Sequence, residues 1–488
     1  MYEGSAKTWA ENEFGTTQLG DVRRTRRLVA MAAGAARRPS GKISAVFDKT
    51  HEREGAYDFL ENPSIKADAV AESYFAATVE RSRCESQALV YVVVDGSSIN
   101  LTDARSEKDF GPIGSPNCPA RGLKMMNALA VSRDGVPLGL VEQLFWARPP
   151  PKKRTRAAAR KRNASRPFAD KETSYFVGAT VNAVERLRRE GVHAWAVIDR
   201  EADNRDILLG LAKAKCLFTV RSHWDRYTVE DKLPLREVLR QQPSLGSYEV
   251  DIGRTGRRAA RRTTVEIRAK VVTLRFSKRK NKPLETLTLT AVWFRELSAD
   301  GGEPLDWLLF TNAPVTNADQ AKDIVDSYRV RWRIEEFHRT WKQGECNVED
   351  AQLRSKEAVV KWATILAAVA TRIERLKYLA RNKPAEPASI ELAPLEIEAL
   401  KLDQGQRRPG ARKKRKLPEM PTISEATQWI AELGGWIGPA NGPPGASTIA
   451  RGLERLAYFT EAIALARQPS GGGRRIRIND QPQAGGRK

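Results

Sequence analysis

Two acidic residues, Asp95 and Asp199, stand directly after short apolar runs, VYVVV and AWAVI. Such continuous β-branched runs are typical of buried strands, and a carboxylate at the end of one is costly to desolvate unless a positive group neutralises it. For a single acid, a turn-forming aspartate that closes a strand is a common explanation. Two such acids suggest a shared cation, but do not establish it.

A third acid, Glu335, lies in YRVRWRIEEFHRTWK, which predicts a helix over about Tyr328 to Lys342. Tyr328, Arg331, Glu335 and Lys342 then occupy an arc of roughly 60°. An apolar stripe suited to the core lies roughly 120° away and consists of Val330, Ile334, Phe337 and Trp341. Glu336 is turned about 100° from Glu335, so the geometry selects Glu335. A surface helix with weak Arg–Glu pairs is the alternative.

The pattern Y-x-x-R-x-x-x-E-x-x-x-x-x-x-K resembles the signature of bacterial insertion-sequence transposases that cut and paste through DNA hairpins. These belong to the DDE class, with a ribonuclease-H-like, retroviral-integrase-like core. Blocks similar to the family occur in order: LGDVRRTRRLV, EGAYDFLENP, VVVDGSS, IDREAD, LFTVRS, PLDWLLFTN and YRVRWRIEEFHRTWK. The resemblance spans about Trp9 to Lys342, and continues more weakly to Trp429–Gly438.

By this resemblance, Asp95, Asp199 and Glu335 match the family's catalytic, metal-binding carboxylates. Hard oxygen ligands suit Mg²⁺ or Mn²⁺, and two ions per site would serve phosphodiester hydrolysis and strand transfer. The resemblance implies double-stranded DNA as the partner, both transposon ends and target, and a homodimer on DNA.

Further site residues are carried over in the same way. Tyr328, Arg331 and Lys342 match residues that hold phosphates near the scissile bond. Trp307 matches the aromatic on which a flipped base stacks, although a core tryptophan at a strand start is the plainer explanation. Arg221 matches a residue near that pocket. Three neighbours of Asp199 are expected to orient the site: Arg200, Glu201 and Asp203.

The chain departs from the family pattern in three places. Gly96 and Ser97 follow Asp95, where many relatives have an acid and a threonine, and Asn127 stands where a histidine is frequent. The stretch from Pro149 to Arg166 is longer and more basic than expected. It would be extra DNA-contact surface or a disordered loop.

The order of elements predicts an α/β fold with helical domains on both sides of the core. We expect a helical domain that binds the DNA ends at 1–75 and the ribonuclease-H-like catalytic domain at 76–378, including an inserted antiparallel β subdomain at about 225–305. A Pro-, Arg- and Lys-rich exposed connection at 379–422, with a short helix near Leu395–Lys401, precedes a helical, dimerising region at 423–468 and a disordered tail at 469–488.

The composition agrees with an anionic polymer as partner. There are 83 Lys and Arg against 60 Asp and Glu, a formal net charge of +23, which favours nucleic acid. Four scattered cysteines and four histidines make a zinc site or disulfide framework unexpected. Without a signal peptide or membrane-length apolar run, a cytoplasmic, nucleoid-associated protein is expected.

A cluster of four arginines lies in the first turns of the helix expected after Asp21, namely Arg23, Arg24, Arg26 and Arg27. Cations there oppose the helix dipole, so phosphate contact or a merely solvated face would explain them. Two other functions share most of these features. One is a silent DNA-binding relative, such as an inhibitor or domesticated protein, and the other is a metal-dependent nuclease of the same fold.

Overall fold

A computed structural model describes residues 5–85, 88–103, 107–114, 120–150, 155, 157, 162, 165–253, 259–276, 285–297, 304–406 and 417–467. The N-terminal part is helical, as predicted: α1 Ser5–Phe14, α2 Val22–Arg37, α3 Ile43–Val46, α4 Thr50–Glu61 and α5 Ala67–Arg83. Asp21 caps α2, because its side chain accepts a hydrogen bond from the backbone N–H of Arg23 at 2.8 Å.

One large mixed sheet forms the centre of the molecule. Its strands are β1 Leu89–Asn100, β2 Gly111–Pro112, β3 Arg121–Ser132, β4 Pro137–Trp146, β5 His193–Ile198, β6 Leu217–Arg221, β7 Gly246–Ile252, β8 Arg261–Arg275, β9 Thr286–Glu296 and β10 Asp306–Thr311. Their order is β2-β3-β1-β5-β6-β10-β9-β8-β7, and β4 also pairs with β3. β1, β5 and β6 are parallel, and the other pairs are antiparallel. The predicted mixed α/β fold is confirmed.

A hairpin turn at Arg133-Asp134-Gly135 joins β3 to β4. Gly135 has φ +78°, a left-handed conformation that glycine adopts readily. The antiparallel strands β7 to β9 lie in the segment expected as an inserted subdomain at about 225–305, and through β10 they continue the central sheet. β10 pairs with β6, so the insertion extends the sheet beyond its parallel part.

The remaining helices are α6 Ser174–Arg189, α7 Arg205–Lys213, α8 Leu235–Arg240, α9 Ala318–Arg329, α10 Trp332–Lys342, α11 Lys356–Asn382, α12 Pro394–Gln406, α13 Ile423–Leu433 and α14 Ala446–Ala466. The prediction of one helix from Tyr328 to Lys342 was wrong. Helix α9 ends at Arg329, and α10 begins at Trp332 after a turn at Val330 and Arg331. The predicted apolar stripe is confirmed, since Ile334, Phe337 and Trp341 are fully buried.

The two faces of the sheet carry separate apolar cores. In β1, Val90, Val92 and Val94 face the core that contains α6 and α7. The alternating residues Tyr91 and Val93 face the larger core, which contains α10, α11 and helices from both ends of the chain. Because side chains alternate along a strand, Asp95 and Ser97 point to the same side as Tyr91 and Val93. This is the side covered by α10.

The C-terminal helices pack onto α11 and onto each other. The helix expected near Leu395–Lys401 is longer, and its residues Ile397 and Leu400 are buried, so this part of the stretch from 379 to 422 is not an exposed connection. None of the described helices is long and apolar enough to cross a membrane. The expected tail at 469–488 and most of the basic stretch from 149 to 166 lie outside the described residues.

Candidate active site

Asp95 and Asp199 lie side by side on neighbouring parallel strands. The last paired residues of β1 and β5 are Val94 and Ile198, so each aspartate is the next residue beyond that pair. β1 itself continues to Asn100 along β3, so Asp95 does not end its strand as the apolar run suggested. Asp199 directly follows the last residue of β5, and its Oδ1 accepts the backbone N–H of Glu201 at 2.7 Å. Strand register therefore brings the two acids together.

Glu335 approaches from α10, which packs across β1 with its buried apolar stripe facing the core. Arg331 Nη1 donates a hydrogen bond to Glu335 Oε1 at 3.0 Å. The neighbouring Glu336 points elsewhere, into contacts with Arg333, Lys377 and Tyr378 on the core side. The helix geometry thus separates the two glutamates as the sequence predicted.

The raised pKa of Asp95 reflects its burial and the charges of the other acids around it. Burial raises the pKa of the Asp95 carboxyl from its ordinary 3.8 to about 7, and the negative charges of Asp199, Glu335 and Glu201 add to the rise, against the opposing charge of Arg331. The acids are therefore close enough to repel one another.

A divalent metal fits this donor set by its chemistry, since carboxylate oxygens are the ligands of Mg²⁺ and Mn²⁺. Among the described residues, no three His, Cys, Asp or Glu side chains converge closely enough to form a ready metal cage. Glu335 is hydrogen-bonded to Arg331 here, and one carboxylate oxygen of Asp199 accepts a backbone N–H.

Buried aromatic and cationic side chains line one flank of the acids. The Tyr328 ring is buried, and its edge meets Trp307 with ring centroids 5.1 Å apart. Burial raises the pKa of the Tyr328 hydroxyl, while the charges of Arg331 and Arg221 act to lower it. Trp307 is half-buried and also packs on Phe294 at 5.5 Å. Four residues expected at the site from sequence therefore lie together: Tyr328, Trp307, Arg331 and Arg221.

Lys342 lies on the other flank, beside the strand that carries Asp95. Its Nζ is 3.1 Å from Ser97 Oγ and 3.7 Å from a carboxylate oxygen of Glu349. Lys124 was not predicted from the sequence, and its Nζ donates to Ser98 Oγ at 2.8 Å. Burial and nearby Arg148 lower the pKa of Lys124, and Lys342 also contributes. Lys124 reaches the site because β1 and β3 pair with Ser98 opposite Lys124, and this pairing joins residues far apart in the sequence.

Two family models match the chain. One describes a transposase DNA-binding domain and covers residues 6–65. The other describes a transposase DDE domain and covers residues 174–372. The chain belongs to the DDE transposases of insertion sequences. The DDE match includes Asp199 and Glu335 but begins after Asp95. In this transposase, Asp95 is grouped with Asp199 because the register of β1 with β5 places the two residues side by side.

Of the residues near Asp199 in the transposase, Arg200 and Glu201 are exposed, whereas Asp203 is buried. Asp203 accepts backbone N–H groups of His223 at 2.7 Å and Trp224 at 3.0 Å, and it also binds Arg226. It therefore ties the segment after β5 to the loop after β6.

Trp332, at the start of α10, is a second aromatic that the sequence analysis missed. Its side chain is 54 % exposed, although tryptophan is usually well buried, and the Arg331 guanidinium lies over its ring at 4.9 Å. An exposed indole next to the Arg331–Glu335 pair offers the transposase a stacking surface at the site.

The arginines of α2 occupy a different part of the transposase, within the DNA-binding match. Arg23 pairs with the capping Asp21, and Arg24 donates to the backbone oxygen of Leu19. Arg26 and Arg27 line a cavity of about 520 Å³ between the N-terminal helices and α14. The contacts described for the chain join none of these arginines to the three acids.

Proposed function

We propose that this transposase binds the terminal inverted repeats of its element and moves it by cut-and-paste transposition. The reaction would consist of metal-dependent phosphodiester hydrolysis, formation of a hairpin on the transposon end, and strand transfer into target DNA. One observation carries the proposal. Asp95 and Asp199 lie side by side where the parallel pairing of β1 and β5 ends, beneath the helix that carries Glu335.

Asp95, Asp199 and Glu335 would hold Mg²⁺ or Mn²⁺, two ions per site when DNA is bound. The ions would activate the attacking oxygen and stabilise the leaving oxygen of the displacement. The protein's own part is to supply three anionic ligands on two strands and one helix. The elevated pKa of Asp95 supports this assignment, because acids held together without a cation repel each other.

Cationic side chains on both flanks of the acids would position the scissile phosphate. Arg331 would exchange Glu335 for a phosphate oxygen, since both are anionic acceptors for its guanidinium. Tyr328 and Arg221 would bind the same strand on one flank. Lys342 and the newly identified Lys124 would bind it on the other, as point charges.

Two tryptophans would stack on the base that a tight hairpin displaces from the DNA duplex. Trp307 offers a half-buried ring next to Tyr328, and Trp332 offers an exposed ring beside Arg331. Stacking on an aromatic ring recovers about 1–3 kcal/mol per base, which offsets part of the cost of unstacking. We assign Trp307 as the receiving ring and Trp332 as a surface that stabilises the opened end.

The domain organisation follows the same proposal. Residues 1–75 would recognise the transposon end, with Arg26 and Arg27 available to phosphates, and residues 76–378 would perform the chemistry. The helices at 423–468 would pair two protomers across two DNA ends. A homodimer on DNA would couple end pairing to cleavage.

The test uses labelled duplexes of the inverted repeats that flank the gene, incubated with protein and Mg²⁺ and resolved on a denaturing gel. We expect wild-type protein to produce nicks and hairpins at the repeat boundary. Glu335→Gln should bind the same duplex in a gel-shift assay and cleave at least about 10³-fold more slowly, because a metal ligand is lost.

Glu336→Gln is the matched control, since it changes the adjacent residue of the same helix without touching the three acids. This variant should retain cleavage if circular dichroism shows that it is folded. Binding without cleavage by the wild type in both Mg²⁺ and Mn²⁺ would refute the catalytic proposal. Cleavage without hairpins or joined products would indicate that the protein is a nuclease and that it does not transpose DNA.

A further inference from the structure

A row of polar side chains crosses the buried interior directly behind Asp95. Strand register places Asp95, Asn127 and Gln143 next to each other on β1, β3 and β4. His338 of α10 and Thr364 of α11 complete the row. Asn127 is fully buried, Thr364 is 1 % exposed, and His338 is 8 % exposed. Polar groups in such a place persist only when they are hydrogen-bonded to each other.

The hydrogen bonds of this row run in one direction. Gln143 Nε2 donates to Asn127 Oδ1 at 3.0 Å, and Gln143 Oε1 lies 3.3 Å from Thr364 Oγ1, a hydroxyl that also donates to the Val360 carbonyl oxygen at 2.9 Å. Asn127 therefore presents its amide N–H to His338 Nε2, at 3.0 Å. Because a donor faces Nε2, that nitrogen carries no proton and acts as the acceptor. The ring proton of His338 is then on Nδ1.

His338 Nδ1 lies 3.7 Å from Asp95 Oδ2, which is an electrostatic contact longer than a hydrogen bond. We propose that the Gln143–Asn127 amide pair fixes His338 as the Nδ1–H tautomer, and that His338 in this form holds the Asp95 carboxylate in its ligand position. The role of Asp95 in this inference rests on the proposed function. His338, Asn127 and Gln143 are positioning residues, because they act on the reaction through Asp95.

The reverse arrangement shows why the direction matters. If both amides were turned over, Asn127 Oδ1 would face Nε2 and place the proton there. Nδ1 would then present a lone pair to the carboxylate oxygen, which repels an ionised Asp95. The observed direction of the two amides is therefore the one that suits an Asp95 carboxylate acting as a metal ligand.

The first experiment is a long-range ¹⁵N–¹H NMR spectrum of the full chain labelled at histidine, without metal or DNA. The chain has only four histidines, and His338→Gln identifies the signal of interest. We expect the two ring nitrogens of His338 to show the shifts of a neutral ring protonated at Nδ1. A ring protonated at Nε2, or one in fast exchange between the tautomers, would overturn the proposal.

Two variants at one position separate direction from packing. Asn127→Asp at pH 8 replaces the donor with an acceptor of the same shape, so the His338 proton should move to Nε2. Asn127→Leu removes the hydrogen bond without reversing it. We expect Asn127→Asp to lower cleavage and Mn²⁺ binding, the latter followed by electron paramagnetic resonance, by about 10–100-fold. The loss for Asn127→Leu should be smaller.

Equal losses for both variants, with the His338 tautomer unchanged in Asn127→Asp, would indicate a purely structural row and refute the inference. If Asn127→Asp does not fold, the wild-type spectrum still decides the tautomer. That spectrum needs neither metal nor cleavage, so it stands even if the proposed transposition reaction fails its own test.

Discussion

Replacing Asp95 with asparagine should make the metal-free transposase more stable while abolishing its cleavage activity. In the folded protein, burial and the charges of Asp199, Glu335 and Glu201 raise the pKa of the Asp95 carboxyl to about 7, against an ordinary value of 3.8. The side chain is only 17 % exposed, so solvent screens these interactions weakly. Asparagine retains the shape and removes the charge.

The magnitude follows from the pKa difference. Between pH 3.8 and about 7 the folded protein retains a proton that the unfolded chain has lost, so the free energy of unfolding falls as the pH rises through this window. Each pKa unit corresponds to about 1.4 kcal/mol, and the full penalty above pH 7 reaches about 4 kcal/mol. At pH 8, Asp95→Asn should therefore gain up to about 4 kcal/mol, and at pH 4 almost nothing.

The assay is urea unfolding at pH 8 and at pH 4 in EDTA, followed by circular dichroism. Asp58→Asn, an exposed substitution on α4, is the control and should leave stability nearly unchanged. Magnesium should stabilise the wild type at pH 8 more than Asp95→Asn, because a bound cation relieves the same repulsion. A variant that is less stable than the wild type at pH 8 would refute the repulsion argument.

Three further predictions concern the scaffold and the stacking surface. Arg81→Met should lower the free energy of unfolding by about 3–5 kcal/mol in urea titrations, because it leaves the buried Glu13 carboxylate without its partner; a loss below about 1 kcal/mol would contradict this. Gly452→Ala should cost about 1–3 kcal/mol in thermal unfolding, since an added Cβ would lie 1.8 Å from the Ile430 carbonyl oxygen of α13; an unchanged midpoint would show that α13 and α14 separate freely. Trp332→Ala should reduce hairpins about 10-fold or more relative to nicks on the denaturing gel, whereas Trp332→Phe should retain most of them; equal behaviour of the two variants would remove stacking as its role.

The sequence by itself determined the periodic features of this protein. Apolar β-branched runs predicted β1 and β5. The aspartate that directly follows each run suggested that the two acids share a site. The stripe of Ile334, Phe337 and Trp341 predicted the buried side of α10 and so distinguished Glu335 from Glu336. These inferences succeed because strand alternation and helix period are properties of the local chain.

Only the tertiary structure decided which elements meet. The register of Val94 with Ile198 sets Asp95 beside Asp199, and the pairing of β6 with β10 makes the inserted strands part of the main sheet. The turn at Val330 and Arg331, the approach of Lys124, and the row from Thr364 to Asp95 also depend on packing between distant segments. Long-range packing free energy selects these contacts, and the local pattern of residues does not encode it.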